Sequence, residues 1–236
     1  MQLMKKIVLA KLKYFCALIA LCVVQVGVRA EIVLDDNFPW TEQEVGFGLA
    51  GVHNFEAAIN RDQVAQGFEA KDYYETINFF RMLWNDKVYY VAGAQIVSRE
   101  QNAARDAALA RSKRSVPIPG GGVCALFVYD KDLKQVAKHE VKLNEANGHT
   151  WCNGARALAR VKGQDALLFS ISYYLTDKPV ATKSQDIGGG WRYMTVLLRL
   201  REREGRVLIE QDDACLGNPN KIQDLSSARK ALVACN

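Results

Sequence analysis

The chain has 236 residues, 49% of them hydrophobic and 24% charged, enough for one sizeable core. Five of its 31 basic residues, and none of its 26 acidic ones, fall within the first 30 positions. Residues 31–236 are therefore balanced at 26 basic against 26 acidic side chains, with no net attraction to nucleic acid or anionic lipid, and neither is expected as a partner.

Lys5, Lys6, Lys11 and Lys13 precede an apolar block from Tyr14 to Val28, and Val28-Arg29-Ala30 ends it with small residues at the two outer positions. That order is the order of a secretory signal peptide cut after Ala30. The block is short for a membrane span, so an uncleaved anchor is the weaker reading and no stable membrane insertion is expected after cleavage. Leu21 before Cys22 and Phe15 before Cys16 do not suit a lipoprotein signal. Residues 31–236 carry no Pro/Ser-rich linker and are expected to form a single β-rich exported domain, periplasmic or secreted. Four cysteines remain there: Cys124, Cys152, Cys215 and Cys235. An even number in an exported chain predicts two disulfides. Pairing Cys124 with Cys152 and Cys215 with Cys235 closes the loops of modest length. No Cys-x-x-Cys spacing supports zinc.

In chain order, Glu31 to Leu34 opens a short strand. Gly46-Phe47-Gly48-Leu49-Ala50-Gly51 matches G-x-G-x-x-G, but the polar Thr41-Glu42-Gln43-Glu44 before it is no buried strand. The expected role of these glycines is to ease an edge strand or loop. Asn54 to Gln66 reads as a helix capped by Asn54, burying Phe55, Ala58 and Ile59 and ending at Gly67. Thr76 to Ser98 reads as a hairpin turning at Asn85-Asp86, with a helix over Tyr73 to Trp84 as the competing reading. Phe80, Met82 and Trp84 share one face of its first arm, while Ile77, Phe79 and Leu83 share the other. The second arm sets Val88, Tyr90 and Ile96 against Tyr89, Val91 and Val97. Both faces are apolar, so both should be covered.

Arg99 to Arg114 is compatible with a weakly amphipathic helix. Val123 to Tyr129 and a return to Leu143 form a second hairpin, whose Lys138, Glu140 and Lys142 are expected to face water. Gly154 to Lys162 with Ala166 to Thr176, and Trp191 to Arg203 with Arg206 to Gln211, form two more. Gln223 to Val233 closes the chain as a short helix. The order hairpin, long polar loop, triple glycine, hairpin occurs twice, which reads either as two related four-stranded modules or as chance resemblance between hairpins. The expected fold is thus mainly β, α+β at the margin: antiparallel hairpins in a β-sandwich or bent meander, with short flanking helices.

Catalytic and metal-binding patterns are weak throughout. His139-Glu140 begins H-E-x-x-H, but Leu143 stands where the second histidine belongs. His149-Thr150-Trp151-Cys152 reads as a loop, and a disulfide-bonded Cys152 has no thiolate. Ser170 and Ser172 lack a nucleophile elbow and are expected to face solvent. Asp212, Asp213, Asn218, Asn220 and Asp224 offer oxygens for calcium, although turn and cap roles explain them better. No catalytic residue, metal ligand or cofactor site is assigned. The leading expectation is a non-enzymatic binding or accessory protein with a protein partner. Alternatives are a carbohydrate-binding module using Trp151, Trp191 and Tyr193, and a hydrolase assembled from loops. The connections 99–122 and 177–190 occupy equivalent places in the two modules, which makes Arg99, Arg111, Arg114, Trp191 and Arg192 the candidate binding residues.

Overall fold

The computed structural model describes residues 31–35, 49–71, 79–100, 122–145, 149–176 and 189–235, together with Ala103 and Ala107. In chain order its elements are β1 (Val33–Asp35), α1 (Leu49–Ala65), β2 (Phe68–Lys71), β3 (Phe79–Trp84), β4 (Lys87–Ser98), β5 (Val123–Asp130) and β6 (Gln135–Glu140). They continue with β7 (His149–Arg160), β8 (Ala166–Thr176), β9 (Gly189–Arg203), β10 (Arg206–Asp212) and α2 (Leu225–Cys235). The protein is mainly β, with two antiparallel sheets packed as a sandwich. The first runs β1-β3-β4-β5-β6, with β2 also paired to β4, and the second runs β10-β9-β8-β7.

Tight turns build both sheets. Asn85 and Asp86 at φ 51° and 58° join β3 to β4, and Glu204 and Gly205 at φ 54° and 73° join β9 to β10. Two consecutive positive φ angles give a turn whose twist matches that of the strands it connects. Trp84 pairs with Lys87 and Arg203 with Arg206, as two-residue hairpins require.

Strand alternation then divides the side chains into layers. Met82, Trp84, Tyr89, Val91, Leu126 and Val128 of the first sheet meet Leu158, Leu167, Phe169, Ile171, Met194 and Val196 of the second in one core. Gly93 marks the closest approach, since a Cβ there would lie 2.5 Å from the Phe169 ring. On the outer face of the first sheet, α1 sets Phe55, Ala58 and Ile59 against Phe79, Tyr90, Ala92 and Phe127. On the outer face of the second, α2 sets Ala228 and Leu232 against Leu168, Leu197 and Ala166. The layers thus run helix, sheet, sheet, helix.

Both cysteine pairs form disulfides: Cys124–Cys152, with Cα atoms 5.1 Å apart, and Cys215–Cys235, 5.9 Å apart. Such disulfides fit an oxidising, extracellular environment. The first ties β5 to β7 across the sandwich, and the second fastens α2. Asp224 caps α2 by accepting hydrogen bonds from the Ser227 backbone N–H and hydroxyl, each at 2.8 Å. Among the described residues no helix is long and apolar enough to cross a membrane.

Several local expectations are corrected. The first helix starts at Leu49, so Asn54 is internal and Gly51 is helical rather than part of an edge strand or loop, while Gly46 and Gly48 lie outside the described residues. One helical glycine costs about 1 kcal/mol, which the docking of Phe55 and Ile59 outweighs. Gly67, at φ 80°, does end this helix region. Lys138 does not face water: its side chain is 14% exposed, with its ammonium paired to Glu140 at 2.8 Å and 5.1 Å from the Phe68 ring. The residues His149 to Cys152 start β7 rather than forming a loop. Arg99, Glu100, Ala103 and Ala107 are helical, as the residue pattern of that stretch predicts.

Candidate functional site

The two long connections of the chain leave and re-enter the sandwich at the same end. Ile96, near the end of β4, pairs with Val123 at the start of β5. Cys124, one residue on, is bonded to Cys152, which faces Tyr173 near the end of β8; Tyr173 in turn faces Arg192 near the start of β9. Backbone and side-chain hydrogen bonds hold this end together. Cys152 N–H donates to Gly122 O at 2.9 Å, and the buried Gln95 amide donates to Cys152 O at 2.6 Å.

The described residues cover only part of the second sheet's outer face. Around Ser170 and Thr195, the segment leading into α2 closes over the strands. The two hydroxyls lie 2.6 Å apart, Thr195 Oγ1 donates to Ile222 O at 3.1 Å, and Ser170 is 1% exposed. Ser170 and Ser172 are both buried, against the expectation that they face solvent.

Towards the disulfide-pinned end, the same face carries an aromatic row across β7, β8 and β9. Trp151 stacks on Tyr174 with centroids 6.3 Å apart and planes 8° apart, and Tyr174 meets Trp191 edge-on at 5.0 Å and 80°. Trp191 is 50% exposed, whereas Trp151 is only 7% exposed. The Arg156 guanidinium lies 4.5 Å over the Tyr193 ring, a distance suited to a cation–π contact. Asn153 Nδ2 donates to Ser172 Oγ at 3.4 Å and completes the face.

Beneath it, Tyr173 points into the sandwich and donates its hydroxyl to Glu145 at 2.6 Å. Burial, and then the neighbouring Glu145 carboxylate, push the Tyr173 phenol far above its ordinary range, so it remains a neutral donor. The group is an anchor for residue 145 and not a nucleophile.

Trp191 and Arg192 therefore lie at this end but on opposite faces of β9, because adjacent strand residues alternate. Arg99 is exposed directly after β4, with its N–H donated to Gly67 O at 3.1 Å. Arg111 and Arg114 lie outside the described residues. Sequence reasoning missed Tyr174 and Arg156. Tyr174 could have been found by counting in twos from Leu168, whereas Arg156 sits in a run of small residues beside a strand irregularity and has no such signal.

Other chemistry is engaged elsewhere. Cys152 is oxidised, and His139 Nε2 is 3.3 Å from Gln211 Oε1, bridging β6 to β10. The acidic group near the C-terminus is occupied by structural bonds. Asp212 binds Arg199 at 2.6 Å, Asp213 accepts from Gln211 at 2.8 Å and from Asn218 at 2.9 Å, and Asn220 bonds both polar groups of the Thr195 backbone. Among the described residues no group of three or more His, Cys, Asp or Glu could hold a metal. A shallow depression of about 600 Å³ between α1 and the β5–β6 turn is lined by Asn54, Ala57, Ala58, Arg61, Lys131, Asp132 and Leu133, with no nucleophile beside a base.

Comparison of the chain with protein-family models, with curated proteins and with solved structures gives no match.

Proposed function

We propose that the protein is exported through its N-terminal segment and acts in the periplasm or outside the cell as a non-enzymatic binding or accessory protein. It meets a protein partner at the aromatic end of its second sheet. The supporting observation is Trp191, half exposed on a strand of a disulfide-tied sandwich, with Tyr174 against it and Tyr193 and Arg156 alongside. Trp, Tyr and Arg are the side chains most enriched among residues that dominate protein interfaces, and a rigid strand presents them with little ordering cost. Cross-linking in cells from position 153, exposed on the same face, tests this. A discrete protein adduct is expected, and its loss in the Trp191→Ala protein at unchanged thermal stability identifies the surface. No protein adduct from this position would refute the reading.

A carbohydrate ligand is the second reading, favoured by the 80° angle between Tyr174 and Trp191, which leaves an L-shaped aromatic corner. Quenching of Trp191 fluorescence by soluble polysaccharide, abolished in Trp191→Ala, would support it. Recovery of an N-terminus at Glu31 from the exported protein tests the export step.

A further inference from the structure

Among the described residues, the β9 strand is paired on both sides only from Leu197 to Arg199. It faces β8 from Gly189 to Arg199, but β10 from Leu197 to Arg203. At Thr195 the missing neighbour is replaced by a side chain: Asn220 Oδ1 accepts from Thr195 N–H at 3.3 Å, and Asn220 Nδ2 donates to Thr195 O at 2.9 Å. An amide side chain there does what one residue of an adjacent strand would do.

The β8–β9 ladder has no register shift, so the direction of the backbone groups alternates regularly from Thr195 to the strand start. Thr195 turns its N–H and C=O away from β8, and Tyr193 and Trp191 do the same. Arg192 Nη1 donates to the outward Trp191 carbonyl at 3.1 Å, in agreement with that direction. Among the described residues no strand takes up the N–H groups of Trp191 and Tyr193. An open sheet edge of this kind is a template for another extended backbone.

The side chains on either face select its chemistry. Trp191 and Tyr193 stand on the outer face, with the Arg156 guanidinium over Tyr193; Arg192 stands on the inner face. Neither arginine has a carboxylate at ion-pair distance among the described residues, since Glu145 is held by Tyr173 instead. A second copy of this chain pairing through the same edge would bring its own arginines onto that seam, and like charges across a strand pair are destabilising. We infer that the β9 edge from Gly189 to Tyr193 is a strand-addition site for an extended, acidic peptide segment of another protein. The inference rests on the protein-binding reading above and adds the partner's conformation and charge.

The test uses the disulfide-bonded protein made from the full chain and linear peptides selected on it from a random displayed library. The selected peptides should carry Asp or Glu on both faces of the added strand, because Arg156 and Arg192 stand on opposite faces. Their binding should slow amide exchange at Trp191 and Tyr193. N-methylation of the alternate peptide residues that face β9 should weaken binding about tenfold or more, while N-methylation of the intervening residues changes it little. Trp191→Pro should give a similar loss without unfolding, because its N–H is not used within the sheet.

If both N-methylated series bind equally while Trp191→Ala still weakens binding, strand addition is overturned and the protein-binding surface stands. If every selected peptide binds the protein carrying Trp191→Ala and Arg156→Ala as well as the unaltered one, both readings fail. A solution dimer returned to monomer by Trp191→Pro would overturn the inference in favour of a second copy.

Discussion

The outer faces of the two sheets are built by the same alternation but covered to different extents. On the first sheet, α1 presses Phe55 among Phe79, Tyr90 and Tyr129, with ring centroids 5.6, 6.0 and 5.2 Å away. On the second, α2 and the segment before it cover Leu168, Leu197 and Ser170 and leave Trp191, Tyr193 and Arg156 beyond their reach. Helix α2 has 11 residues against 17 in α1, and Cys215–Cys235 holds it towards one end of the sheet. The same kind of strand face is a core under one helix and carries a half-exposed Trp191 beside the other.

Five expected outcomes probe this contrast, from the largest effect to the smallest. Phe55→Ala should remove the anchor of the covered face and cost about 3–5 kcal/mol in denaturant unfolding, since the ring is fully buried among three others. A loss under 1 kcal/mol would show that α1 contributes little to that face. Replacing Cys124 and Cys152 together by alanine should cost about 2–4 kcal/mol, because the closed loop spans 28 residues. Equal stability with and without the bond would mean that packing alone joins the sheets there.

Leu232→Ala should cost about 2 kcal/mol, less than Phe55→Ala, because the second helix buries fewer large side chains. A larger cost than that of Phe55→Ala would reverse the comparison.

Acid should loosen the second helix before the first. Hydrogen bonds from the Ser227 N–H and hydroxyl lower the Asp224 pKa, and Arg199, then the Ala214 N–H, lower that of Asp212. Native values below the unfolded ones mean that this stabilisation is complete above about pH 4 and disappears as pH falls through the native values. Amide exchange at Ala228 and Leu232 should therefore accelerate below about pH 4 while Ala58 and Ile59 stay protected. Simultaneous loss at both helices would count against it. Trp191→Ala should change stability by no more than about 0.5 kcal/mol, as expected of an exposed residue. A drop of several kcal/mol would make Trp191 a core residue instead of a contact residue.

Much of the fold was legible because its signals are local. The Asn85-Asp86 and Glu204-Gly205 turns, the opposed faces of β3 and β4, and the shared face of Leu167, Phe169, Ile171 and Tyr173 are set by turn chemistry and a period of two. The short loop closures Cys124–Cys152 and Cys215–Cys235 were readable from the spacing of four cysteines. Alternation states which side chains share a face, but nothing about what lies over that face. Only tertiary packing buried Ser170 under Ile222, drew Lys138 onto the Phe68 ring, covered Trp151 and left Trp191 half exposed. Which part of β9 has a strand neighbour among the described residues likewise depends on where β10 stops and on Asn220, 25 residues beyond Thr195, reaching back to occupy one position of the edge. Strand and turn preferences act over a few residues, whereas cover and exposure are set by contacts between distant parts of the chain.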